Sequence, residues 1–296
     1  MQYNVKVVFT DVLSVSFNLL NKIINILYET VFPTHCLACG SFYHPFDIYD
    51  EGIPRNLAEQ HAAATLFVQE QVHQHLSAYL CPICIRGMVV VDPPLCLCCG
   101  MPFQSREGDD HLCGDCLISP KKFGIARAPL VYDQTVITVI HRFKFKGKIQ
   151  LARPLSKILL TTLNCFWDID SIDVIIPVPL HVKRIRERGF NQSYLLIQNW
   201  DKGVSKNCSG PSGLQIDCDI LFKKASTEAQ TGLGREQRSA NVKNAFGIYD
   251  DEKIKNKTIL LVDDVYTTGA TVDECARLML HQGASRVDVL TLARAI

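Results

Sequence analysis

The chain has 296 residues, with 31 basic and 30 acidic side chains and a formal net charge of +1. This balance excludes a protein that binds nucleic acid through overall positive charge, while it allows a local basic patch. Hydrophobic residues make up 47% of the chain, enough for one core domain and a smaller module. No secretory signal pattern opens the sequence. We therefore expect a cytoplasmic protein whose thirteen cysteines bind metal rather than form disulfides.

Residues 1–34 are predicted to form an amphipathic N-terminal helix that ends at Pro33. The apolar positions with three- and four-residue spacing are Phe17, Leu20, Ile24, Leu27 and Val31. Polar residues interrupt the stretch, so no membrane span is expected. Packing on a neighbouring domain is favoured over binding to a membrane surface, because the segment has few basic residues.

Residues 35–120 contain four Cys-x-x-Cys pairs and are predicted to form a zinc-binding region. The pairs are Cys36 with Cys39, Cys81 with Cys84, Cys96 with Cys99, and Cys113 with Cys116. Two-residue spacing lets both thiolates of a tight turn reach one ion, and two such turns complete a tetrahedral site. A full shell of four cysteines leaves no open position, so structural zinc is favoured over catalytic zinc, and over redox cysteines.

The last two pairs are close in sequence and define the clearest predicted site, which leaves the first two pairs for a second site. A cross-braced pairing remains an alternative, and Cys98 is interpreted as a bystander. Gly40, Gly100 and Gly114 follow or lie in the turns, where a positive φ is useful.

An insertion near residues 41–80 separates the first two cysteine pairs. Its part from Asn56 to Ser77 has a helical pattern and contains three histidines, His61, His73 and His75. We interpret these histidines as solvated side chains of a helix rather than as metal ligands.

Residues 126–296 alternate short apolar runs with helical patterns. This alternation predicts an α/β domain with a mostly parallel sheet flanked by helices. The apolar runs cover 128–132, 173–178, 219–222, 258–263 and 286–292, and the helical patterns cover 136–144, 151–165, 191–200 and 272–282.

The segment 258–271 carries the most chemistry. An apolar strand is followed by Asp263 and Asp264, then by the turn Thr267, Thr268, Gly269, Ala270 and Thr271, and then by a helix from Val272. Ligands of open α/β sheets bind at the carboxyl ends of strands. The free N–H groups of a helix start favour a phosphate, and Gly269 allows close backbone approach. The sequence therefore predicts a phosphate and sugar site here.

Two basic segments accompany this motif. Residues 177–192 follow another strand and concentrate Lys183, Arg184, Arg186 and Arg188 where a diphosphate could bind. Residues 141–148 interleave phenylalanines with basic residues, which suits single-stranded nucleic acid, although an amphipathic helix end with buried phenylalanines is favoured. A polar segment, 224–241, which includes Gln230, Arg238 and Asn241, is interpreted as a lid over a charged substrate.

The segment 258–271 resembles the phosphoribosyl-diphosphate (PRPP) signature of type I phosphoribosyltransferases. The resemblance implies that Asp263 and Asp264 hold the ribose hydroxyls, that residues 267–271 bind the 5′-phosphate, and that Mg accompanies PRPP. Purine-salvage members carry a third acid at the position of Thr267, which argues against that activity here. Arg184 and Arg188 join the two aspartates as candidate catalytic residues.

With the cysteine pairs, Phe-Lys-Phe-Lys-Gly, Arg-Gly-Phe-Asn-Gln and the polar segment in order, the chain resembles the ComF family from about Cys81 to Ile296. That resemblance implies zinc ribbons, a phosphoribosyltransferase-type domain, and a role in DNA uptake during natural transformation, with single-stranded DNA and uptake or recombination proteins as partners.

Three functions remain open at this point. The first is a phosphoribosyltransferase with an unknown acceptor. The second is a PRPP- or nucleotide-sensing protein that also holds DNA or a partner protein. The third is a zinc-ribbon nucleic-acid module with a degenerate domain.

Overall fold

The computed structural model describes residues 34–43, 63–105, 108–200, 215–224 and 244–296. The predicted N-terminal helix, the start of the insertion with His61, and most of the predicted lid lie outside these residues. None of the described helices is long and apolar enough to cross a membrane.

The described elements alternate in the order that the sequence predicts for residues 126–296. The strands are β1 (Thr34–His35), β2 (Phe42–Tyr43), β3 (Ala126–Arg127), β4 (Leu130–Val131), β5 (Val174–Pro177), β6 (Gln215–Ile216), β7 (Leu221–Lys223), β8 (Phe246–Ile248), β9 (Thr258–Tyr266) and β10 (Arg286–Arg294). The helices are α1 (Ala63–Leu76), α2 (Pro82–Arg86), α3 (Gly114–Ile118), α4 (Gln134–Phe145), α5 (Ala152–Phe166), α6 (Val182–Arg188), α7 (Gln192–Ile197) and α8 (Ala270–His281).

The central sheet has the strand order β3-β10-β9-β5-β6, and every neighbouring pair is parallel. Strands β9 and β10 form its long centre, in register from Thr258 opposite Arg286 to Tyr266 opposite Arg294. Both are almost entirely buried, because helices cover both faces of the sheet. The α/β class and the parallel sheet predicted from the sequence are confirmed.

Two sequence-predicted strands differ from the structure. Within the run at 128–132 only β4 is a strand, and β3 lies just before the run; Pro129, which separates the two strands, has no N–H to donate to the sheet. The run at 219–222 was expected in the parallel sheet, but β7 instead pairs antiparallel with β8 in a separate ribbon. Phe222 stacks on Tyr249 there, at 4.1 Å between ring centroids, so the apolar run is used locally.

The insertion ends in a helix that packs on the domain. Val68, Val72 and Leu76 recur every four residues along α1 and are each 3% exposed or less. Their stripe lies against α5, and Tyr43 joins the same core cluster. His73 and His75 are half-buried, and burial lowers the pKa of His75 to about 4. The half-burial of His73 and His75 corrects the expectation that they are solvated.

Candidate functional site

The acid pair lies inside β9, two residues before its end, rather than after the strand as predicted. The Asp263 carboxylate accepts hydrogen bonds from the Ser193 hydroxyl at 2.9 Å and from the Asp264 N–H at 2.9 Å. Ser193 is held in place because Asn191 caps α7 and accepts from its N–H at 3.0 Å. The β9 and α7 ends therefore meet at the carboxyl edge of the sheet.

Asp264 is buried, at 4% exposed, and forms an ion pair with Lys144 from the last turn of α4. The sequence placed Lys144 in a basic surface segment. Only the packing of α4 against the end of β9 brings it to the acids.

Burial shifts the charged groups of this site in opposite directions. Removal from water raises the pKa of Asp263 to about 6, an effect that the charge of Lys144 and the hydrogen bond from Ser193 oppose. Burial also lowers the pKa of Lys144 to about 8, opposed by the charge of Asp263. Between these values both groups are charged, with a carboxylate and an ammonium side by side. Perturbed pairs of this kind are characteristic of functional sites.

The turn after β9 leads directly into α8. Gly269 has a φ of 76° and precedes Ala270, the first residue of the helix, so α8 begins two residues earlier than predicted. A Cβ at Gly269 would collide with the Tyr266 side chain, which explains the glycine independently of its φ. Thr267 is exposed, and Thr268, Ala270 and Thr271 are partly exposed, so the turn is open on its outer side. The N–H of Ala270 donates to the Thr268 hydroxyl at 3.4 Å, and the starts of helices commonly bind anions.

The four basic residues of the segment 177–192 lie on the helix α6, which covers Val182–Arg188. His181 caps it by accepting from the Lys183 N–H, and Gly189, with a φ of 86°, ends it. Arg188 donates to Gln192 and lies 4.6 Å over the Phe145 ring. The helix also directs Lys183 and Arg186 into solvent, away from the acids.

A hollow of about 110 Å³ lies between α4 and α6. Its walls include Lys144, Phe145, Arg184, Glu187 and Arg188. Two of the predicted arginines therefore line the same space as the lysine that pairs with Asp264, together with one carboxylate. Phe143 is fully buried, whereas Phe145 is 53% exposed. The favoured interpretation of residues 141–148 as a helix end with buried phenylalanines is therefore right for Phe143 and wrong for Phe145.

The eight paired cysteines form two groups of four. In each group the sulfur atoms lie within 4.8 Å of one another, which suits a tetrahedral tetrathiolate site. The first cluster contains Cys36, Cys39, Cys81 and Cys84, and the second contains Cys96, Cys99, Cys113 and Cys116. The structure has this sequential pairing rather than the cross-braced one, and Cys98 is outside both groups.

Both clusters are built from the same two parts. In each cluster the N–H of the first cysteine, Cys36 or Cys96, donates to the carbonyl of the residue five positions later. The N–H of the glycine four positions later, Gly40 or Gly100, donates back to the carbonyl of that cysteine and closes the turn. The third cysteine of each then begins a five-residue helix, α2 or α3. Gly40 and Gly100 have positive φ as predicted, but Gly114 lies within α3 and does not. The repeat was not recognised in the sequence because only the cysteines and turn glycines recur.

Residues 217–296 match the phosphoribosyl transferase domain family. This match and the parallel sheet define a protein with a type I phosphoribosyltransferase fold behind a cysteine-rich region. DNA utilization protein YhgH of Escherichia coli K12 is 33% identical over 221 residues, which cover 73% of this chain and 91% of that protein. Competence protein F of Haemophilus influenzae is 30% identical over 68% of this chain and 85% of its own length. The chain therefore belongs to the ComF family.

Competence protein ComFC of Bacillus subtilis is 27% identical over 226 residues, covering 73% of this chain and 84% of its own length. A solved hypoxanthine phosphoribosyltransferase from Staphylococcus aureus overlaps 50% of this chain and 64% of its own, at a TM-score of 0.28 and 15% identity. These last values are too low to argue from.

Proposed function

We propose that the carboxyl edge of the sheet binds PRPP with Mg. The observation that carries the proposal is the continuous run from the acid pair of β9 through the Gly269 turn into the N-terminus of α8. It supplies carboxylate acceptors for a sugar and N–H donors for a phosphate within nine residues, 263–271. The family match at 217–296 supports the same assignment.

Each part of the site suits one part of PRPP. Asp263 and Asp264 accept hydrogen bonds from the two ribose hydroxyls, and residues 267–271 bind the 5′-phosphate through backbone N–H and threonine hydroxyl groups. The diphosphate lies toward Lys144, Arg184 and Arg188 in the basic hollow. Mg, if bound, would be held by the diphosphate and ribose oxygens and would neutralise part of the diphosphate charge, while Asp264 keeps its ion pair with Lys144.

The acid pair also suits the step of a transferase reaction in which diphosphate leaves the sugar. Departure of diphosphate from the sugar leaves positive charge on the ribose ring, and the buried carboxylates lie where that charge would develop. Thr267 cannot take a proton from an incoming acceptor, so the acceptor must arrive already reactive or bring its own base. A non-catalytic PRPP sensor therefore remains the alternative to an enzyme.

PRPP binding tests the proposal directly. Calorimetry with Mg should give saturable binding to the wild-type protein, and Asp264→Asn should abolish it because the amide neither accepts equally nor pairs with Lys144. Asp251→Asn, an exposed acid outside the site, is the matched control and should bind like wild type. Wild-type protein without PRPP affinity would refute the function. Diphosphate release with candidate acceptors then separates an enzyme from a sensor.

We further propose that both cysteine clusters hold structural zinc. We also propose that single-stranded DNA binds to the exposed surface formed by Phe145, Lys146 and Arg188, which we call the rim. The second proposal rests on Phe145, which is 53% exposed beneath Arg188 and next to the exposed Lys146. An aromatic side chain among cations can stack on an unpaired base. A role in handling incoming DNA, with uptake or recombination proteins, follows from the names of the relatives and belongs to the same proposal.

The affinity of the Phe145→Ser variant for an oligothymidylate tests whether the rim binds single-stranded DNA. Loss of one stacking platform costs about 1–3 kcal/mol, so the affinity for DNA should fall roughly 5- to 150-fold. The wild-type affinity should also fall with added salt. Ile137→Ser, an apolar residue of the same helix that is 40% exposed, is the control. Equal DNA binding by Phe145→Ser and wild type would contradict the rim assignment.

A further inference from the structure

Two buried arginines lie against the second cysteine cluster. Arg127 and Arg294 are 8% and 2% exposed, and they are the only buried arginines in the described part of the chain. Neither has an ion-pair partner there. Arg127 donates to the carbonyls of Cys96 and Leu97, and Arg294 donates to the carbonyl of Cys99. Both guanidinium groups thus point at the turn that carries two of the four thiols.

The charge of a loaded cluster explains this arrangement. Burying a cation without a compensating charge costs several kcal/mol. A divalent zinc with four thiolates carries a net charge of −2, which two guanidinium groups balance. No buried arginine of the described chain contacts the first cluster.

One of these arginines also contacts the residue behind the phosphate turn. The Arg294 guanidinium lies over the Tyr266 ring, 4.9 Å from its centroid, and Phe123 packs on the other edge at 6.2 Å. The far end of the Tyr266 side chain fills the space over Gly269 into which a Cβ would point. A continuous chain of contacts therefore runs from Cys99 through Arg294 and Tyr266 to the turn.

We propose that Tyr266 is a positioning residue through which metal in the second cluster fixes the phosphate turn, so that anion binding depends on that metal and not on metal in the first cluster. Loss of the metal frees the turn at Cys99, whose carbonyl accepts the hydrogen bond that holds Arg294. Tyr266 then loses its cation partner, and the Gly269 turn loses its support. This inference rests on the proposed function.

Matched cysteine variants test the dependence on metal. Cys113→Ser/Cys116→Ser removes the second cluster and Cys36→Ser/Cys39→Ser the first, and metal content and the PRPP dissociation constant with Mg are measured in the full chain. We expect each variant to lose one zinc. PRPP affinity should fall at least tenfold in the second-cluster variant and stay within about twofold in the first-cluster variant. Equal affinities would overturn the coupling while leaving the proposed function intact, whereas wild-type protein that does not bind PRPP refutes both.

Tyr266 variants test the route and do not depend on the stability of the cysteine variants. Tyr266→Phe keeps the ring over Arg294 and should stay within about threefold of wild type. Tyr266→Leu should retain both zinc ions and bind PRPP at least tenfold more weakly. If the coupling runs through Tyr266, combining Tyr266→Leu with the second-cluster variant adds no further loss. Losses that multiply in the combined variant, or Tyr266→Leu binding like wild type, would overturn the role of Tyr266.

Discussion

Asp263 and Lys144 show how burial shifts the pKa values of single residues. Removal from water disfavours the charged form of each side chain, and the opposite charge of the other partly offsets this effect. The result is a carboxylate and an ammonium that both titrate within a few pH units of neutrality. A charged ligand interacts more strongly with such buried groups than with solvated groups, because it replaces the water that the buried groups have lost.

PRPP affinity should therefore have a bell-shaped pH dependence. Below about pH 6 the Asp263 carboxylate takes up a proton and no longer accepts two hydrogen bonds, so affinity falls. Above about pH 8 Lys144 loses its proton and its attraction for the diphosphate, so affinity falls again. Calorimetry from pH 5 to about pH 9 measures both limbs. Lys144→Arg should remove the alkaline limb, because arginine stays protonated; an unchanged limb would assign it to another group.

Gly269→Ala should reduce PRPP affinity at least tenfold. The new Cβ meets the Tyr266 side chain, and the φ of 76° is strained for any residue with a Cβ, so the turn must shift. Gly108→Ala is the control for the cost of a positive φ alone, since Gly108 has a φ of 96° but open space around it. That control should cost only about 1–2 kcal/mol of stability and leave affinity unchanged. Unchanged affinity of Gly269→Ala would mean that the turn does not bind phosphate.

At the scale of elements, α1 anchors the insertion to the domain. Its buried stripe packs on α5, and α5 in turn packs on β10 at the centre of the sheet. The helix therefore ties the first cysteine cluster, which follows it at Cys81, to the core of the domain. This explains how an insertion between two metal ligands is tolerated without separating them.

Leu76→Ala should lower the free energy of unfolding by about 2–5 kcal/mol, because the side chain is fully buried and leaves a cavity. Denaturant unfolding measures the change. Glu70→Ala, on the exposed face of the same helix, should stay within about 0.5 kcal/mol of wild type. A Leu76→Ala protein as stable as wild type would show that α1 does not contribute to the core.

At the scale of the whole molecule, the two cysteine clusters belong to different parts of the hydrophobic core. The first joins the core cluster that contains α1 and α5, and the second joins the core cluster beneath α8. Metal in each would cross-link segments distant in sequence, such as Cys36 and Cys81, and so stabilise the folded chain.

Metal analysis of protein purified without added zinc should find two zinc ions per chain, one for each cluster. Removal by a strong chelator should lower the Tm, because the thiolates of each cluster lose the ion that holds them together. Restoring zinc should restore the Tm. A metal-free preparation with unchanged Tm would contradict structural zinc in both clusters.

The sequence by itself determined those elements and motifs that depend on residues close together in the chain. Apolar runs and helical periods gave the parallel sheet, the Cys-x-x-Cys spacing gave both metal turns, and the order of Asp263, Asp264 and Gly269 located the candidate phosphate site. Each depends on residues that are neighbours in the chain, so a one-dimensional pattern contains the information.

Only the tertiary structure decided which distant residues meet. Lys144 reaches Asp264, Arg294 reaches Cys99, and Ser193 reaches Asp263 across 120, 195 and 70 positions of the chain. The ribbon of β7 and β8, and the exposure of Phe145 beside the buried Phe143, likewise follow from packing. These contacts depend on how helices lie against the sheet, and no local spacing of residues encodes that arrangement.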